Sequence, residues 1–358
     1  MNPEESHNPG LPANVSATRA TAGTRREIFL VAVFIAFTSF SFFLIQYDHM
    51  RVLGEGHEAW MHGVIAGVSP APIQYRVALP LVLDILERHA GLKVNQSLPF
   101  IEFLAYALAL ALLYLLFRSS RRVEDAPPVQ RIALLGFFLA ATQLPILWIF
   151  PWDRPETLPV AFFLAAIVLL VVRPSRIPFG LVCLLTLLLS LWQALVRSDV
   201  PVIAGIAILL CAVISIPFPR PRIQIATLGA LCAAVAGAVQ IYLQHIVYPT
   251  TTYPADTPKF QLLINLSLNP PLHIPTFLTA LLPLIVTVVL LVRYRLSLES
   301  SDKLVLLMCL IYLPAWLVTG IIVEVRIFVP FLFLAAPTIA KLWTAYLLPE
   351  AGSPAPSR

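Results

Sequence analysis

Apolar blocks of 15–24 residues follow one another along almost the whole chain, and a bilayer is the one solvent that suits them all. Crossing about 30 Å of hydrocarbon takes about 20 predominantly apolar residues in helical form. Ten blocks meet that need: residues 28–45, 97–117, 132–150, 158–172, 177–196, 200–218, 223–246, 274–292, 304–323 and 327–348. The fourth is the shortest and can borrow residues 155–157. Peptide groups in lipid must bond within their own segment, so each block is expected to be a helix. Hydrophobic residues make up 59% of the chain and charged residues 12%. A soluble domain carries about 25% charge and has too little interior to hide this much apolar side chain. The expected fold class is therefore all-α, a polytopic membrane protein with about ten transmembrane helices.

Charge sorts the connections into two sets. One set contains Arg118, Arg121, Arg122, Arg173, Arg176, Arg220, Arg222, Arg293 and Arg295. Together with the two termini and Lys341, it holds 16 Lys/Arg against 8 Asp/Glu. The other set holds 8 Lys/Arg against 11 Asp/Glu. Cytoplasmic loops are the basic ones, so both termini are expected in the cytoplasm. The net charge of +5 reflects this bias; no basic tract with interleaved aromatics points to nucleic acid. Residues 1–24 and 349–358 read as cytoplasmic tails, the first polar and expected to be disordered. The first apolar block is longer than a signal-peptide core and no A-x-A-like site follows it, so it reads as a retained span. Lys341, inside the last block, is expected to snorkel toward the cytoplasm. Cys183, Cys211, Cys232 and Cys309 all lie in apolar blocks, giving neither a disulfide framework nor a metal pair.

The outer set contains the two long loops, residues 46–96 and 247–275. In the first, residues 55–71 read as an amphipathic surface helix. Residues 77–86 are too short to span and read as interfacial or re-entrant. In the seventh block Gly229, Ala233 and Gly237 recur every four residues, a pattern that lets helices approach closely.

Three outer clusters carry both carboxylates and arginines. The first comprises Asp48, His49, His57, Glu58, His62, Gln74, Tyr75 and Arg76. The second is Trp152-Asp153-Arg154-Pro155-Glu156, and the third runs from Glu324 and Arg326 to Pro330. A single helix-end charge is most often a solvated anchor; convergence of three turns on one face is what suggests a site. Carboxylates beside arginines suit transfer of a sugar from a lipid phosphate to a hydroxyl. A carboxylate can take the acceptor's proton, and a guanidinium can bind the departing phosphate through two parallel hydrogen bonds.

This layout resembles the GT-C superfamily of polytopic glycosyltransferases, which use polyprenyl-phosphate sugars. The resemblance rests on Glu58 with Trp60, the small-residue stretch to Ser69-Pro70, Arg76 before Pro80, Arg154-Pro155-Glu156, and Glu324-x-Arg326-x-x-x-Pro330. The paired acids usual in the family's first loop are absent, and His57-Glu58 stands in their place. The resemblance implies Glu58 or Asp48 as the catalytic base and Arg76, Arg154 or Arg326 as the phosphate ligand. It implies Asp153, Glu156 and Glu324 as sugar-orienting or arginine-pairing groups, with Tyr75 and His62 in the binding region. It also implies a polyprenyl-phosphate sugar and the bacterial inner membrane as partners. A divalent cation, Mg or Mn, is optional, with Asp48, His49, Glu58 and His62 as available ligands.

Two rivals stand beside it. A secondary transporter or flippase would use mid-span polar groups, of which Ser190, Gln193 and Gln143 are the nearest. A non-catalytic membrane subunit would use the outer charges only as anchors. His57 and His62 are five apart, whereas the zinc-protease helix needs four, so that chemistry is excluded.

Overall fold

The computed structural model describes residues 13–148, 155–173, 177–252, 273–319 and 327–348. Among the described residues the secondary structure is helical and contains no strand. Helix α1 spans Ala13–Ile65, α2 Ala78–Ala90, α3 Val94–Arg118, α4 Arg121–Glu124, α5 Pro128–Gln143 and α6 Thr157–Val172. Then come α7 Phe179–Arg197, α8 Asp199–Val213, α9 Arg222–Tyr242, α10 His273–Tyr294, α11 Ser300–Thr319 and α12 Val329–Leu347. Seven of these regions are long and apolar enough to cross a membrane: Arg25–Val52, Val94–Arg118, Pro128–Ile146, Phe179–Arg197, Arg222–Val247, Ser300–Val318 and Val329–Leu347. The shorter apolar helices Thr157–Val172, Asp199–Val213 and Leu278–Tyr294 fall on the fourth, sixth and eighth apolar blocks.

Two helices form the centre. Nearly every residue of α6 and α12 is buried, and both are predominantly apolar all round, as a helix surrounded by others must be. Around them α3 packs on α1 and α6, α5 on α12, and α7 and α8 on α9. The outward surfaces are apolar too: Phe29, Phe37, Leu108, Leu184, Leu188, Val289 and Leu310 are all exposed. Water-soluble proteins avoid such continuous apolar surface, whereas hydrocarbon accepts it.

Lipid gives no hydrophobic push between helices, so close packing must hold them together. The tightest approach is α8 on α9. A Cβ placed on Gly205 would lie 2.6 Å from the Gly229 carbonyl oxygen, and one on Gly229 would lie 2.8 Å from that of Gly205. Ala233 completes the contact, while Gly237, the third member of the small-residue series, faces open space.

Side-chain contacts gather the helix ends into two groups. At one end, here the base, Glu27 accepts from Tyr114 at 2.9 Å and pairs with Arg118 at 3.0 Å and Arg131 at 3.3 Å. Arg122 donates to Ser297 there, and Arg220 to the Ile177 carbonyl. All of these belong to the basic set of connections. The opposite end, the cap, carries the second half of α1, the loop after it, α2 and the α7–α8 turn.

Three expectations need correction. The span at residues 28–45 and residues 55–65 of the expected surface helix at 55–71 are one helix, α1, with no break between them, and the chain leaves the helix after Ile65. That helix also reaches back to Ala13, into the segment expected to be disordered. Hydropathy marks where apolar character stops; it does not mark where the backbone hydrogen-bond ladder stops, and isolated glycines such as Gly54 and Gly56 need not end a helix. Lys341 does not snorkel. It is 2% exposed, with its ammonium 2.6 Å from Asp302 and 3.3 Å from Glu299. Thr338 donates to the same Asp302 at 2.8 Å. The acids stand at the start of α11, so Lys341 finds countercharge inside the bundle and has no need of water.

Candidate functional site

The cap is built on a folded loop. Gln74 is fully buried; its amide donates to the Val64 carbonyl at 2.8 Å and accepts from the Ser69 backbone N–H at 2.9 Å. This stitches residues 66–74 back onto the end of α1. Tyr75 packs with Val64, Ala71, Val77 and Leu243, so its ring is part of the cap's own core. Trp60 packs against the same group and against Leu79 and Val196. The cap therefore rests on the ends of α7 and α9.

With the loop fixed, Arg76 is aimed at the bundle. Its Nη1 lies 2.9 Å from Oε1 of Glu156, which is almost fully buried at the N-terminus of α6. The positive end of that helix dipole favours a carboxylate there. These two residues, 80 positions apart in the chain, come from two of the three clusters singled out in the sequence.

A second pair stands at the same end. Arg197, the last residue of α7, grips Asp199, the first of α8, with two parallel hydrogen bonds of 3.0 and 2.6 Å. Its guanidinium also donates to the Tyr312 hydroxyl and lies 5.8 Å from the centre of that ring. Tyr312 in turn donates to Asp199 at 3.4 Å. The two pairs act on each other through space: Glu156 contributes to the field at Arg197, and Arg76 to that at Asp199. Behind them Tyr312 stacks on Phe331 at 4.1 Å, and Phe328 on Trp316 at 5.9 Å. The result is two guanidiniums and two carboxylates against a buried aromatic wall. Arg197, Asp199 and Tyr312 were not singled out in the sequence. The signal for the first two was there: a charge of each sign flanking one serine, between two apolar blocks. Nothing local marks Tyr312.

The two candidate bases lie apart. Asp48 is 81% exposed and 3.6 Å from Arg51, one turn on. Two residues before it, Gln46 is buried and donates to the buried Glu102 at 2.9 Å. Two residues turn a helix by about 200°, so if Gln46 faces the bundle, Asp48 faces away. Glu58, ten residues or about 15 Å further along α1, is exposed on the cap. Its carboxylate converges with His62 and with Glu87 of α2, their ligand atoms all within 4.8 Å of one another. His62 Nε2 is 3.7 Å from Glu87 Oε2. Two carboxylates and an imidazole are a donor set that suits a divalent cation. Asp48 is not part of that cluster. Asp153, Arg154, Glu324 and Arg326 lie outside the described residues, as does Trp152.

Comparison with protein families, with curated proteins and with solved structures found no match to this chain.

Proposed function

We propose that the protein is a GT-C-type membrane glycosyltransferase with ten spans and both termini in the cytoplasm. It moves a sugar from a polyprenyl-phosphate donor to an acceptor hydroxyl at the outer face of a bacterial inner membrane. The ten spans are the seven long apolar helices plus α6, α8 and α10. The orientation follows from the basic base end and the acidic cap end. One observation carries the functional reading: Arg76 and Glu156, from distant parts of the chain, meet at 2.9 Å beside a second arginine–carboxylate pair.

In the reaction, a carboxylate takes the proton of the acceptor hydroxyl as its oxygen attacks the anomeric carbon. The carbon–oxygen bond to phosphate breaks and its electrons pass to the phosphate oxygen. Arg76, with Arg197 beside it, offsets the charge gathering there. Glu156 and Asp199 hold the two guanidiniums in place before the donor arrives. Glu58 is favoured over Asp48 as the base because it stands on the cap, whereas Asp48 turns from the bundle. A divalent cation held by Glu58, His62 and Glu87 would supply positive charge but would also occupy the Glu58 carboxylate and leave it a poor base, so it belongs to an alternative use of this cluster.

A second reading is movement of an intact lipid-linked sugar across the membrane. It is favoured by one face of α7, on which Thr186, Ser190 and Gln193 are buried in line with Arg197. Neither end of the Gln193 carboxamide has a hydrogen-bond partner among the described residues.

Proteoliposomes loaded with undecaprenyl phosphate carrying a radiolabelled sugar, supplied with cell-envelope extract as acceptor, separate the two. Label in a product that is no longer lipid phosphate, reduced at least about tenfold by Arg76→Ala and kept by the exposed Arg88→Ala, is the expected result. Label that changes leaflet but stays on the donor would favour transport. Donor left intact and in place, across a panel of sugars, would sink both.

A further inference from the structure

The base end holds a cavity of about 310 Å³ between the end of α8 and the start of α9. Its lining divides in two. Ile216, Phe218 and Ile225 are apolar, while Ser215, Arg220 and Arg222 are polar or cationic, and among the described residues no carboxylate lines it. We propose that this cavity is a binding site for a phosphate-bearing group, independent of the cap and of any sugar transfer there.

Three observations point to an anion. Arg220 is 5% exposed, and its buried Nε has no hydrogen-bond partner among the described residues. Its one hydrogen bond among the described residues runs from Nη2 to the Ile177 carbonyl at 3.3 Å. A guanidinium has five N–H donors, and burying its Nε–H unpaired is costly, so that donor is available to an acceptor entering the cavity. Next, α9 starts at the cavity. Pro221 caps this 21-residue helix, and its carbonyl takes the N–H groups of Gln224 and Ile225. The first-turn N–H groups of Arg222 and Ile223 are orphans of any helix start, and the helix dipole adds positive potential there. Last, the acids at the start of α11 are engaged elsewhere. Ser300 donates to the Pro217 carbonyl, which brings the start of α11 alongside, but Glu299 and Asp302 are turned to Lys341.

The apolar half of the lining and the position at a helix-bundle rim suit the glycerol and upper acyl chain of an anionic phospholipid. Inorganic phosphate shares the polar chemistry and needs none of the apolar wall. The full-length protein in nanodiscs of phosphatidylcholine, doped with phosphatidylglycerol, distinguishes the two. After extraction, native mass spectrometry counts retained phosphatidylglycerol, and a parallel series adds inorganic phosphate as competitor.

One retained phosphatidylglycerol per chain is expected, with retention about tenfold weaker in Arg220→Gln and in the exposed Arg222→Gln. It should be unchanged in Arg293→Gln, another base-end arginine outside the cavity. Displacement by millimolar phosphate would assign the site to the free anion; resistance would assign it to the lipid. Should Arg220→Gln fail to fold, Arg222→Gln still decides. Equal retention by wild type and Arg222→Gln, or no preference over phosphatidylcholine together with no phosphate binding, overturns the proposal.

Discussion

Lys341 carries a full charge into the interior of the bundle, and it is tolerated because Asp302 and Glu299 meet it there. Breaking a buried pair from one side leaves a bare charge, which costs about 3–5 kcal/mol. Lys341→Met should therefore lower stability by that order in detergent unfolding, and adding Asp302→Asn should recover much of it. Glu299 adds a dependence on pH. Its burial would raise the carboxyl pKa, but the Lys341 ammonium and the Arg122 backbone N–H outweigh that and hold it below its ordinary value of 4.5. Its contribution is then complete above pH 4.5 and is lost as pH falls through the lower folded value. Melting temperatures measured from pH 6 down to 3 should fall more steeply for wild type than for Glu299→Gln. None of this is legible in the sequence. A lysine seven residues from the end of a last apolar block looks like any snorkelling cation until the facing helix is known. The same applies to Asp48, whose exposure follows from which face of α1 meets α3.

Helices were the most legible elements, because hydrophobic blocks of bilayer length have few other ways to satisfy their peptide groups. Their ends were less so. Residues 55–65 are polar enough to leave the hydrocarbon, yet they stay helical and continue the first span. The small-residue series on α9 was visible as a packing feature, but its partner, Gly205 on α8, was not. The geometry separates positions that the spacing treats alike. Gly229→Ala and Gly205→Ala each force atoms to within 3 Å and should cost about 1–3 kcal/mol, read in the same unfolding assay. Gly237→Ala meets nothing within 4 Å and should be neutral or slightly stabilising.

For the molecule as a whole, charge bias sorted the connections into the same two ends that the side-chain contacts later joined. A labelling experiment tests the orientation. Gly56→Cys, on the cap with free space at its Cβ, should react with a membrane-impermeant maleimide on intact cells. Asp125→Cys, exposed at the base, should react only after permeabilisation. The site was half legible: Arg76 and Glu156 were nominated by type and position, whereas Tyr312 joins Arg197 across 115 residues and has no local mark. Finally, α1 has 53 residues, about 80 Å of continuous helix, of which the bilayer core takes about 30 Å. Shaft and roof thus share one backbone ladder. A thinner bilayer that leans the shaft must carry Glu58 and His62 with it, so acyl-chain length becomes a dial on the geometry above the membrane.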